Sequence, residues 1–85
     1  MNKKDRKKLG EIIEQFQTLV DEVENIGYSE QEKYDNLTDT LQETEIGRYC
    51  QDVAEVIKEE CNSIKFSLNR FKRIVNGDKN IIIPF

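Results

Sequence analysis

Apolar residues in the second half of the chain recur at intervals of three and four positions. The set is Ile46, Cys50, Val53, Ile57, Cys61, Ile64, Leu68, Phe71 and Val75. This spacing puts one apolar stripe along a helix and is typical of helices that pack lengthwise on a partner. Thr44 is suited to cap the helix at its start, and Asn76-Gly77 to end it. The pattern therefore predicts a long helix near residues 44–76. Further apolar residues flank the stripe: Tyr49, Ala54, Val56, Phe66 and Ile74.

A similar stripe runs through the first half of the chain. It comprises Leu9, Ile13, Phe16, Val20, Val23 and Ile26, is widened by Ile12 and Leu19, and continues at Tyr34 and Leu37. Gly27 interrupts the stripe, and Ser29 with Glu32 has the form of a capping box, so two shorter helices are an alternative. We favour one helix near residues 3–35, either straight or kinked at Gly27, because one internal glycine costs only ~1 kcal/mol of helix stability.

Between the two stripes, residues 36–42 are rich in side chains that favour caps and turns over helix interiors. The sequence thus predicts an all-α fold in which residues 1–76 form a long antiparallel helical hairpin. Its apolar surface is broader than one partner helix requires, so we expect self-association, most simply into a four-helix bundle. Residues 77–85 form an apolar tail, expected to pack on the hairpin or a second subunit, or alternatively to dock a partner. Its apolar residues are Ile81, Ile82, Ile83 and Phe85.

The composition argues against catalysis. The 85 residues include no histidine, which removes the usual general base and the commonest metal ligand. There is no glycine-rich phosphate loop and no nucleophile elbow. Cys50 and Cys61 are 11 residues apart on one predicted helix, about 16 Å at 1.5 Å per residue, so they cannot form a disulfide with each other. We therefore predict a non-enzymatic protein without cofactor or metal, with thiols kept reduced in the cytoplasm and no membrane segment.

Charge is strongly segregated along the chain. Residues 1–8 and 65–85 together carry 10 basic and 2 acidic side chains, whereas residues 9–64 carry 3 basic and 15 acidic ones. In a hairpin both basic segments lie at the open end. The basic pole, a candidate phosphate-binding surface, is Lys3, Lys4, Arg6, Lys7, Lys8, Arg70, Lys72 and Arg73. The acidic pole, a candidate partner-binding surface, is Glu30, Glu32, Asp35, Asp39, Glu43, Glu45 and Asp52. Unlike poles steer charged partners.

Three functional hypotheses follow from these features. The first is a protein that binds another protein through its acidic pole or tail, for example as an inhibitor of an enzyme. The second is an oligomer that holds nucleic acid or a nucleotide with its basic pole. The third is a structural or assembly component whose partner is itself. For each pole, an ordinary solvated surface is the plainer interpretation.

The turn carries a resemblance to a known set of proteins. Residues 30–45 are EQEKYDNLTDTLQETE, which resembles the turn E-x-E-x-[FY]-D-N-[LM]-P-E-x-L-Q-x-S-E of small helical-hairpin proteins from bacteria and their phages. The resemblance covers about residues 11–72, with Thr38 where the set usually has proline. It implies a helical hairpin and a phage or prophage setting, with the host cytoplasm as the location. It transfers no catalytic residue.

Overall fold

The structure, a computed structural model, describes residues 1–77 and contains two long helices joined by a short one. Helix α1 spans Lys3–Asp35, α2 spans Asp39–Gln42 and α3 spans Glu45–Val75. The long helices α1 and α3 pack along each other as an antiparallel pair, so the predicted all-α hairpin is confirmed. The predicted apolar tail, with Ile81, Ile82, Ile83 and Phe85, lies outside the described residues.

Local side chains define the helix ends. The Asn2 side chain accepts a 2.7 Å hydrogen bond from the amide of Asp5 at the start of α1. The Thr44 hydroxyl accepts one of 3.3 Å from the amide of Gly47 at the start of α3. Gly77 follows α3 in the left-handed conformation, with φ of 77°, which glycine adopts without a steric penalty. The caps predicted at Thr44 and at Asn76-Gly77 are therefore confirmed.

Helix α1 runs through Gly27 without a break, which confirms the single-helix interpretation. Gly27 is buried, and a Cβ atom there would lie only 2.7 Å from Cγ2 of Ile57. Non-bonded carbon atoms do not approach so closely, so only a residue without a Cβ atom lets α1 and α3 pack at this distance. Its role is in packing between the helices.

The core is a narrow strip between the two long helices. Ile13 and Val20 from α1 meet Cys61 and Leu68 from α3, and Cys61 is only 1% exposed. On each helix the buried positions recur every seven residues, the period of helices packed along their length. Four partly buried side chains complete the core: Leu9, Ile57, Ile64 and Val75.

The buried strip on α1 differs from the stripe that the spacing predicted. Phe16, Val23 and Ile26 were expected in it, yet each is about half exposed. The strip instead follows Ile13, Val20 and Gly27. A single partner helix covers only a narrow sector of α1, so a broad apolar surface contributes its centre to the core and leaves its edge in solvent.

The same correction applies to α3. Ile46 was predicted in the buried stripe but is 74% exposed, and Phe71 is about half exposed. Ala54 was predicted to flank the stripe but is buried in it. Small side chains occupy the centre of the contact because they let the helix backbones approach.

In the turn, the backbone at Gly47 lies very close to the backbone of Leu41 and Gln42. A Cβ atom on Gly47 would lie 2.6 Å from the carbonyl oxygen of Leu41 and 2.7 Å from that of Gln42. These are backbone atoms, which cannot rotate away as a side chain can. The side-chain amide of Gln42 donates a 3.0 Å hydrogen bond to the carbonyl of Tyr34. The turn therefore folds tightly over the first residues of α3.

We expect Gly47→Ala to destabilise the hairpin and Gly10→Ala to stabilise it slightly. Both changes gain helix propensity of up to ~1 kcal/mol. The new methyl group at position 10 would lie 3.5 Å from the Val75 side chain, which is an ordinary contact. The one at position 47 would clash with backbone atoms. Overpacking of this kind costs ~1–3 kcal/mol. Urea denaturation followed by circular dichroism measures both variants, and equal effects on the free energy of unfolding would contradict the close approach.

Candidate functional site: an exposed apolar face

One face of the hairpin is lined with exposed apolar side chains. On α1 they form a row at alternating spacings of four and three, so they share one side of the helix: Ile12, Phe16, Leu19, Val23 and Ile26. On α3 the matching row contains the exposed Phe71 and the partly buried Val53, Ile57 and Ile64, with Ser67 between Ile64 and Phe71. We call these two rows together the apolar face.

A groove shows that the two rows belong to the same side of the molecule. Ile12 and Phe16 from α1 and Ile64 and Phe71 from α3 line an open groove of about 430 Å³. Ser63 and Ser67 lie at its α3 side, where their small side chains leave space. The groove occupies the half of the apolar face near the open end of the hairpin, where α1 begins and α3 ends.

The opposite face of the hairpin is polar. There the ammonium group of Lys65 on α3 donates a 2.5 Å hydrogen bond to the carboxylate of Glu24 on α1. Polar side chains continue along this side next to Lys65: Gln17, Asp21, Asn69 and Lys72. The hydrogen bond that Lys65 donates to Glu24 raises the pKa of Lys65 above its ordinary value of 10.5. The hairpin is therefore two-sided, with one ion-paired face and one apolar face.

The acidic pole surrounds the turn, and several of its carboxylates interact within the hairpin. Glu30 accepts a 2.8 Å hydrogen bond from Lys33, which lowers the pKa of Glu30 below its ordinary value. Glu43 lies 3.8 Å from Arg48. Asp39 and Glu45 are in the first turns of α2 and α3, where they stabilise the positive end of the helix dipole. The remaining members are on α1 and α3 close to the turn: Glu32, Asp35 and Asp52.

The basic pole is at the open end. Lys3, Lys4, Arg6, Lys7 and Lys8 are in the first two turns of α1, and its other members are Arg70, Lys72 and Arg73 near the end of α3. Gly10 and Gly77 connect the two groups in space, because a Cβ on Gly10 would contact Val75 and one on Gly77 would contact Arg6. Nε of Arg6 is buried without a hydrogen-bond partner among the described residues. Phosphate binding here stays a prediction.

The remaining candidates for chemistry add no site. Cys50 is half-buried, Cys61 is buried and both are free thiols. Within residues 1–77, no group of cysteine, aspartate and glutamate side chains is arranged to hold a metal ion. Neither long helix in this part of the chain is apolar enough over a sufficient length to cross a membrane.

The sequence predicts an apolar surface broader than one partner helix requires, but it does not show which residues form that surface. Two sets of positions compete on α1. The first, Ile13, Val20 and Gly27, recurs every seven residues, and the second is the row from Ile12 to Ile26. Glycine contributes no apolar side chain, so only two members of the first set are recognised as apolar. The spacing of apolar residues therefore predicts one broad stripe that combines both sets.

No family model, no curated protein and no solved structure matches this chain. The resemblance of the turn to bacterial and phage hairpins therefore stays a prediction from residues 30–45.

The ion pair across the polar face yields a titration prediction. We expect the pKa of Lys65 to lie above its ordinary value of 10.5 in the wild type and to be lower in Glu24→Gln, which keeps the shape but removes the charge. Its contribution to stability is present below 10.5 and is lost as the pH rises through the higher pKa of the folded state. NMR titration of the Lys65 side chain measures this. Glu14→Gln, on an exposed carboxylate, is the control, and an equal shift in both variants would contradict the pairing.

Proposed function

We propose that this chain is a non-enzymatic binding protein that works by protein–protein contact, with the apolar face as its contact surface. The first partner of that surface is a second copy of the chain, and two hairpins form a four-helix bundle. The observation that supports this proposal is the continuous exposed apolar row from Ile12 to Ile26 on α1, next to the exposed Phe71 and the partly buried Ile64 of α3.

The apolar face has the size of a small interface. Its rows extend about 21 Å on α1 and about 27 Å on α3, and two helices at a usual separation are together ~18 Å wide. The face therefore covers roughly 450 Å², so two copies would bury roughly 900 Å² in total, within the range of small interfaces below ~1,200 Å². The largest apolar patch on a typical monomer is ~300–600 Å² and is often functional. Burying this face would add favourable free energy to a domain whose core is narrow.

The charge arrangement supports the apolar face over either pole as the main contact surface. Glu30 and Glu43 of the acidic pole interact with neighbouring basic side chains of the same hairpin. The basic residues of the last turn of α3, Lys72 and Arg73, are placed to stabilise the negative end of that helix. The apolar face has no such partner within residues 1–77. Inhibition of an enzyme, a phage origin and a cytoplasmic location stay predictions from the sequence.

The test compares two phenylalanines on different sides of the hairpin. Phe16 lies on the apolar face and is 50% exposed, whereas Phe66 is 67% exposed. Phe66 is two residues from Ile64, hence about 160° around α3 from the face. Phe16→Glu is expected to produce a monomer, because a carboxylate would be buried at the interface. Phe66→Glu is expected to leave the dimer intact. Sedimentation equilibrium gives the mass, and circular dichroism checks that both variants remain helical.

Ile57 and Ile64 are unsuitable for this test, since they pack against the hairpin core and a charge there would unfold the monomer. A wild type that is monomeric at every concentration would overturn the proposal. It would assign the apolar face to another occupant, such as residues 78–85 or a different protein. Equal loss of the dimer in both phenylalanine variants would place the interface elsewhere.

A further inference from the structure

Two hairpins that share their apolar faces can lie with their open ends together or at opposite ends. Both arrangements have twofold symmetry, with the axis in the plane of the interface. In the parallel arrangement the axis runs along the hairpins, and in the antiparallel one it crosses them. We propose that the partner is a second copy held antiparallel, so that the open end of each hairpin lies against the turn end of the other. This inference rests on the dimer proposed above.

Charge distinguishes the two arrangements. The open end, residues 1–8 and 65–77, carries nine basic side chains and one acidic side chain. The turn end, residues 28–52, carries seven acidic side chains and two basic ones. A parallel dimer brings two positive ends and two negative ends together, whereas an antiparallel dimer brings unlike ends together twice. The central segments are acidic and face each other in both arrangements, so they do not discriminate.

The distances between charged ends determine which of them interact. The ends of one hairpin are about 50 Å apart, well beyond the ~8 Å Debye length at physiological ionic strength. Packed helices are ~8–10 Å apart, so charges on the interface side of facing ends are close to that length, whereas Lys65 and Lys72, on the polar face, lie farther away. Each end therefore responds to the end it faces and is screened from the distant one. Like charges in contact across an interface suppress the wrong arrangement.

The shape of the apolar face favours the same arrangement. The groove beside Ser63 and Ser67 lies in the half of the face near the open end. In the half near the turn, α1 instead carries the exposed side chains of Val23 and Ile26. An antiparallel dimer places these side chains over the partner's groove. A parallel dimer places groove against groove and leaves a void, which packed interiors avoid because unfilled space loses dispersion contacts.

The antiparallel arrangement has a consequence for ligand binding. It places the basic pole of each hairpin next to the acidic pole of the partner. The dimer then has no concentrated basic end, which a phosphate ligand would need. A parallel dimer would instead join two basic poles into one strongly positive end. The arrangement of the two copies thus separates an assembly role from a phosphate-binding role.

The salt dependence of the unmodified protein is the first measurement. In an antiparallel dimer, two contacts between unlike ends outweigh the single repulsive contact between the acidic central segments, so salt screens a net attraction. The dissociation constant then rises between 50 and 500 mM NaCl, by roughly tenfold if the screened net attraction is ~1.4 kcal/mol. In a parallel dimer, salt screens repulsion and the constant falls. Sedimentation equilibrium at both concentrations distinguishes the two, and a falling constant would overturn the antiparallel arrangement.

A distance measurement gives the geometry directly. Thr40→Cys places a spin label on an exposed residue at the turn, in a chain that also carries Cys50→Ser and Cys61→Ala. Double electron–electron resonance should give a separation near 50 Å in an antiparallel dimer, the length of the hairpin. A parallel dimer gives less than about 25 Å, since only the distance between layers separates the labels. Asn62→Cys, close to the middle of the hairpin, is the control and gives a short distance in both arrangements.

The outcomes separate the two proposals. A short distance between Thr40→Cys labels in a dimer overturns the antiparallel arrangement and leaves the dimer standing. A monomeric wild type overturns both. Because the salt measurement needs no substitution, it decides the arrangement even where the cysteine replacements weaken the fold.

Discussion

The close approach of α1 and α3 is the contact on which the rest of this structure depends. Gly27 packs directly against Ile57, and the small residue Ala54 is buried in the same strip. Small residues let the helices approach here, whereas Ile13, Val20 and Leu68 fill the contact nearer the open end. The apolar side chains that a single partner helix cannot cover lie at the edge of this strip. One side of the hairpin therefore becomes the apolar face, and the other can carry the ion pair between Glu24 and Lys65.

A narrow core has an energetic consequence. Few residues in the described part of the chain are fully buried, and one of them is a cysteine. Domains below ~70–80 residues obtain only a few kcal/mol from a single core and usually need disulfides, metals or association. The thiols of this hairpin are free. The proposed association through the apolar face would stabilise the hairpin by burying these side chains, which connects the proposed function to the stability of the fold.

The two poles acquire a role through the same geometry. Within one hairpin, several of their charges lie in the first or last turn of a helix or form ion pairs, as Glu30 does with Lys33. In the proposed dimer, the segregation of charge along about 50 Å would determine which ends attract. Hydrophobic burial has no preferred direction, so it would supply the driving force for association but only weak orientation. Charge and the shape of the groove would supply the orientation.

The sequence by itself determined the elements. Regular apolar spacing, the cap at Thr44 and the stop at Asn76-Gly77 predicted both long helices and the hairpin, because these signals act within a few residues of one another. The tertiary structure decided which sector of each broad stripe is buried. That choice depends on how closely two backbones approach at Gly27 and Ala54, which residues distant in sequence settle together. The apolar face, and with it the candidate site, is what that packing leaves uncovered.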